Sequence, residues 1–188
     1  MSAITAPIIA RTARNRLGWS ANEMPRLRAM IPTALKRLGI RVARRADCEA
    51  LRKEIAITVV AGVITLTDTS ILAEVLLETG ELIVDSKFAK PAPSYQELTL
   101  RMPTDVYRWS LKTPTKIHVT DLTTGALGTV AKTGTLAFNY WPTLTEMPDA
   151  YDPELIDIVV ELAGGKVEEP TAPKLEKEDS GVKVDLKT

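Results

Sequence analysis

The stretch Glu54-Ile55-Ala56-Ile57-Thr58-Val59-Val60-Ala61-Gly62-Val63-Ile64-Thr65-Leu66 sets how the rest of the chain is read. β-Branched residues dominate it, its apolar positions recur with the period of an extended strand, and Ala61-Gly62 supplies the only local turn chemistry. It predicts a β-hairpin. After it, Asp68-Thr69-Ser70 can cap the apolar segment Ile71 to Leu77, which Gly80 ends. That segment is one or two helical turns, or a loop delivering Val75, Leu76 and Leu77 to the core. Glu81 to Asp85 reads as another strand, Lys90-Pro91-Ala92-Pro93-Ser94 as a loop, and Tyr95 to Met102 as a strand or a docking segment containing Glu97 and Arg101. Arg108 to Leu111, Lys116 to Asp121 and Gly134 to Tyr140 read as further strands. Thr123-Thr124-Gly125 and Lys132-Thr133-Gly134 mark turns. Together they predict a central, small antiparallel β-sheet.

Before the hairpin the apolar period is helical. Ser20-Ala21-Asn22-Glu23 has the spacing of a capping box and predicts a helix start; Pro32 should break or kink that helix, because it removes an intrahelical bond and clashes with the preceding turn. A second helical stretch is predicted from Thr33 to Arg45, with Leu35, Leu38 and Val42 on one face and Lys36, Arg37, Arg41, Arg44 and Arg45 around the rest. Residues 1–19 show no sustained periodicity and read as an arm. Near the other end, Asp152-Pro153-Glu154 opens a helix with an Asx cap and proline in its first turn, and Leu155, Ile156, Val159, Val160 and Leu162 give it an apolar face to pack on the sheet. Residues 166–188 are rich in Glu, Lys and Pro and poor in large apolar side chains, so they read as an extended tail unless a partner orders them. The fold class is therefore α+β: basic N-terminal helices, a central sheet, a C-terminal helix packing on it, and extended terminal arms. One domain is expected over residues 20–165.

Composition limits the chemistry. The chain has 188 residues, 45% of them hydrophobic and 26% charged, which suits one ordinary globular domain. The longest apolar run, Val59 to Ile64, is far shorter than the roughly 20 residues that span a bilayer, and the opening residues lack a basic leader, so neither a membrane span nor a secretory signal is expected. A single Cys and a single His leave too few soft ligands for a zinc or iron–sulfur site. His118 sits in the strand pattern Lys116-Ile117-His118-Val119-Thr120 with no orienting carboxylate or nucleophile in its motif, and reads as an ordinary strand histidine. Cys48 lies between Asp47 and Glu49, which disfavour a thiolate. Asp149, Asp152, Glu154 and Asp157 complement a helix N-terminus without a metal. Gly125-Ala126-Leu127-Gly128 is neither a Walker motif nor a dinucleotide fingerprint. No catalytic residue, cofactor or metal site is expected.

The charge distribution is uneven. Lys plus Arg and Asp plus Glu are equal at 24 each, yet residues 1–60 hold 12 of these cations against only 4 acids. Ten of the twelve Arg lie there, and Arg is the better partner for phosphate and for desolvated carboxylates. Such a region meets an anionic surface, or it is a solvated helix face whose long side chains cover apolar area. Trp19 is its only aromatic residue, so the stacking platform of single-strand binders is missing. Trp109, Tyr140 and Trp141 fall in the β region, where Phe138 and Tyr140 share one face and Trp141 the other. They form core or a subunit interface.

The order of elements adds a resemblance. Basic helices, Leu51-Arg52-Lys53-Glu54 running into the hairpin, Ile71-Leu72-Ala73-Glu74 after it, a short β region, and Asp152-Pro153-Glu154-Leu155-Ile156 opening the last helix resemble small virion proteins of tailed bacteriophages, most of all the head-to-tail adaptor or connector proteins that dock under the portal ring. The likeness covers residues 20–165 as an order of elements. It implies a non-enzymatic, homo-oligomeric ring, assembled in the host cytoplasm and resident in the virion, that extends the DNA channel and meets portal protein, tail proteins and non-specifically the packaged DNA. On that reading Arg11, Arg14, Arg16, Arg41, Arg44 and Arg45 contact portal or DNA, and Trp109, Tyr140 and Trp141 are interface candidates. The alternative is a small nucleic-acid-binding or regulatory protein whose basic helices engage phosphate with steep salt dependence.

Overall fold

The computed structural model describes residues 4–45, 48–99, 106–124 and 130–164. Among the described residues four helices and seven strands follow one another in this order: α1 (Ala6–Leu17), α2 (Met24–Ala43), β1 (Arg52–Val59), β2 (Val63–Thr65), α3 (Ala73–Thr79), β3 (Glu81–Val84), β4 (Lys87–Pro91), β5 (Tyr107–Thr113), β6 (Lys116–Asp121), β7 (Lys132–Asn139) and α4 (Asp152–Leu162). The α+β class holds, but the sheet is neither small nor wholly antiparallel. Its seven strands run in the order β1-β7-β3-β4-β5-β6-β2, and β4 pairs with β5 in parallel.

The Glu54–Leu66 stretch folds differently from a simple hairpin. Ala61 and Gly62 adopt φ of 50° and 73°, two left-handed residues as a tight primed turn requires, and Val60 and Val63 exchange both backbone hydrogen bonds at 2.9 Å. Pairing between the two arms stops there. β1 continues along β7, from Arg52↔Asn139 to Val59↔Lys132, while β2 pairs with β6. The two arms are thus the two edges of one sheet, and the turn joins them into a nearly closed barrel. A second primed turn, at Asp85 and Ser86, links β3 to β4. Inside lie Leu136, Phe138, Leu82, Val84, Ile57, Ile64, Trp109, Ile117 and Val119, all buried.

The N-terminal region is helical, not an arm. Pro7 stands in the first turn of α1, Gly18 closes the helix at φ 66°, and the Trp19 amide donates back to the Arg14 carbonyl at 3.1 Å. Its buried stripe is Ile9, Ala10 and Ala13, two of them alanines, which is why the periodicity is faint in the sequence. The capping box does not form: Ser20 makes no side-chain cap, and a short 3-10 turn, Ala21–Glu23, precedes α2. Nor does Pro32 break α2. It is exposed, while Leu27, Ile31, Ala34, Leu35, Leu38 and Val42 bury a continuous face on the other side, and that burial outweighs the roughly 3 kcal/mol that an interior proline costs.

α4 starts at Asp152 itself with Pro153 in its first turn, so the cap position falls on Tyr151, which makes no side-chain cap bond, rather than on Asp152 as expected. Expected on the sheet, it instead packs chiefly against α1 and α2, giving a three-helix layer. The segment from Ile71 resolves as helix α3 from Ala73, strand β4 takes Lys90 and Pro91 from the expected loop and leaves residues 92–94 without regular structure, and Tyr95–Thr99 is a 3-10 turn. Leu100 to Met102 and the expected tail 166–188 lie outside the described residues.

Candidate interaction surface

The arginines singled out by charge are mostly turned inward, toward the acids of the same chain. Arg45 makes a two-pronged contact with Glu154, its guanidinium nitrogens donating to the carboxylate at 2.6 and 2.8 Å. Arg41 donates to Glu161 at 2.6 Å and lies 3.9 Å from Glu154, Arg16 pairs with Asp157, and Arg44 donates to Glu78 at 3.1 and 3.3 Å. Arg14 donates to the Asn15 side chain at 2.8 Å. The acids clustered around the start of α4 therefore meet α1 and the C-terminal end of α2. Sequence polarity becomes internal pairing once α4 folds back across the basic helices. Such pairs stabilise modestly where exposed, and they orient the layer. Among the exposed arginines, Arg11, Arg28 and Arg37 make no ion pair with a described residue. Arg26 sits 5.1 Å above the Trp19 ring, a cation–π contact.

The three aromatic candidates separate. Trp109 is 0% exposed and its indole N–H donates to the Ala89 carbonyl at 3.0 Å, so it is core and no surface residue. Tyr140 is likewise buried, with the Lys53 ammonium 3.9 Å from its ring centroid. Trp141 remains half-exposed: it packs beside Leu72, Val75 and Ala43 and donates to the Thr69 carbonyl at 3.1 Å. Among the three, it alone offers surface.

Other features were not legible. Phe88 is 68% exposed on β4 and Val60 66% exposed at the closing turn. The register Ala56↔Thr135↔Ile83↔Phe88 puts these four residues in one row on the outer face of the sheet, with no charge in the row. Ala89 points inward and Phe88 therefore outward; a five-residue strand offers no periodicity long enough to reveal that. A cleft of about 640 Å³ lies between helices and sheet, lined by Lys36, Ile71, Glu74, Leu111, Lys112 and Pro114 among others. Lys36 and Glu74 pair across it at 2.5 Å, and that hydrogen bond holds the Glu74 carboxyl below its ordinary range. A second groove, of about 430 Å³, opens between β1 and β2 below the closing turn.

His118 lies on β6, half-buried, and burial, then Lys112 and Lys116, keep its imidazole below the ordinary histidine range. Among the described residues no group of three or more His, Cys, Asp or Glu is placed to hold a metal ion, and no helix is long and apolar enough to cross a membrane. No protein-family model matches the chain, and no curated protein matches it in sequence. The surface chemistry is thus that of contact: an uncharged row ending in an exposed aromatic, two strand edges, and the exposed Arg11, Arg28 and Arg37, which make no ion pair with a described residue.

Proposed function

We propose that this chain is a structural subunit of a tailed-phage virion, a head-to-tail adaptor that forms a homo-oligomeric ring on the portal, extends the DNA channel and provides the attachment surface for the tail. The observation that carries the assembly reading is Phe88. An aromatic ring 68% exposed on the outer face of a sheet, beside half-buried Ile83, gives up apolar area to water that a neighbouring subunit would cover. Placement at the head–tail junction rests on the order of elements, from basic helices through the β region to the final helix. The mechanism is mechanical: repeated lateral contacts close a ring, and the portal and tail machinery dock on its two ends.

The arginines divide by role in this reading. Arg16, Arg41, Arg44 and Arg45 hold the helix layer through their carboxylate partners, while Arg11, together with Arg28 and Arg37, meets portal or packaged DNA. Crosslinking of the tagged chain in its producing cells, with and without nuclease and followed by mass spectrometry, tests the proposal. Recovery of portal-like and tail proteins regardless of nuclease is the expected result. Capture that disappears on nuclease treatment overturns it in favour of a nucleic-acid-binding protein.

A further inference from the structure

Phe88 stands 68% exposed on the outer face of β4, at the end of a row that carries no charge. An aromatic side chain buries about 150–250 Å² when enclosed, so most of that area stays in water until something covers it. The cleft of about 640 Å³ falls within the roughly 300–1,000 Å³ of pockets that enclose a ligand-sized group. Half-buried Ile71, Ala73 and Leu111, with exposed Pro114, give it apolar walls among the described residues. Register sets knob and cleft apart. β4 runs parallel to β5 with Ala89 level with Tyr107, so Phe88 lies level with Val106, and Leu111 is five residues further along β5, about 17 Å away. Leu111 has the parity of buried Trp109 and so faces the barrel end, whereas Phe88 faces outward. A phenylalanine side chain neither spans that separation nor crosses the sheet. Phe88 can therefore enter only the cleft of another copy.

Charge favours the same pairing. Exposed Lys87 and Lys90 flank Phe88 on β4, and the cleft carries the acids Asp68 and Glu74 on the wall that leads into α3. Of the cleft's own cations, Lys36 pairs with Glu74 at 2.5 Å and Lys112 sits on the exposed β5–β6 rim. A knob flanked by ammonium groups thus meets carboxylate on one wall and apolar side chains on the other, a complementarity that fixes orientation. Because knob and cleft are different patches, the contact is heterologous: each copy gives its Phe88 to one neighbour and receives that of another. Such head-to-tail contacts close into a ring when the rotation between copies allows. We infer that Phe88 of one copy seats between Ile71, Leu111 and Pro114 of the next, an inference that rests on the ring assembly proposed above.

Directional crosslinking tests this on the full chain. One chain carries Lys87→Cys beside the knob, the other Thr113→Cys on the cleft rim, and both carry Cys48→Ser, which removes the sole native cysteine. After mixing and treatment with a short bis-maleimide, crosslinks between unlike chains should exceed those formed by either chain alone at least tenfold. Phe88→Ala added to the Lys87→Cys chain should abolish them, whereas the same change in the Thr113→Cys chain should leave them, an asymmetry that a loss of folding does not produce. Crosslinks mainly between two Lys87→Cys chains, or unlike-chain crosslinks that survive Phe88→Ala in the Lys87→Cys chain, overturn the inference. So does a single chain carrying both substitutions that closes on itself at every dilution. Native mass spectrometry of the parent separates the two failures. An oligomer without these crosslinks keeps the ring and removes this contact, whereas a monomer at every concentration removes the ring reading with it.

Discussion

Trp109 shows how one side chain is committed by its surroundings. It is the largest of the fully buried residues, packed within the barrel and satisfied through its indole N–H by the Ala89 carbonyl. Trp109→Ala should cost about 3–5 kcal/mol, the usual range for deleting a core aromatic, measured as a fall in the urea midpoint. A subunit-interface role would instead leave monomer stability unchanged. His118 makes a different prediction. Because burial and the neighbouring Lys112 and Lys116 lower its pKa, the folded protein binds the imidazole proton less readily than the unfolded chain does. Its contribution to stability is complete above the ordinary histidine value of about 6.5 and is lost as pH falls through that value toward the folded pKa. Urea midpoints taken from pH 8 to 5.5 should decline, and His118→Gln should flatten the decline.

Among the elements, β3 and β7 depend on a missing side chain. A Cβ at Gly134 would collide with the Ile83 carbonyl oxygen across the strand pair, and the obstacle is backbone, which cannot swing aside. Gly134→Ala should separate the two strands and destabilise by more than about 2 kcal/mol, the scale of overpacking in a well-filled interior, with faster exchange of β3 amides as the direct readout. The helix layer depends on charge instead. Glu154 is shared by Arg41 and Arg45, so Glu154→Gln should weaken the docking of α4 by about 0.5–1 kcal/mol in low salt. The difference from the parent should shrink as ionic strength rises, because salt screens part-exposed pairs. No difference from the parent even in low salt would mean that α4 is held by its apolar face alone, through Leu155, Ile158 and Val159.

At the scale of the whole molecule, the proposed assembly rests on the uncharged outer row ending in Phe88, which is 68% exposed. Phe88→Asp should shift the protein toward monomer in sedimentation or native mass spectrometry while leaving its thermal midpoint within a degree or two, since the side chain supports no core contact. An unaltered oligomeric state would remove Phe88 from the interface. Residue order alone specifies the α+β class, the turn at Ala61-Gly62, the strand Lys116–Asp121, a strand read as Glu81 to Asp85 that stops one residue earlier, and the helix beginning at Asp152, because period, turn chemistry and first-turn proline are local properties. The helix α1 is hidden from such a reading because alanines carry much of its buried stripe, and the continuity of α2 through Pro32 because packing on the far face outweighs a local penalty. Strand pairing also belongs to tertiary structure. Nothing within Glu54 to Leu66 says that its two arms bond to β7 and β6 rather than to each other, since alternation fixes which face of a strand is buried but not which edge meets which partner. The same holds for charge. A sequence count places cations in one half and acids in the other, and only the return of α4 across α1 and α2 decides that Arg16, Arg41 and Arg45 neutralise Asp157, Glu161 and Glu154 while Arg11, Arg28 and Arg37 face outward.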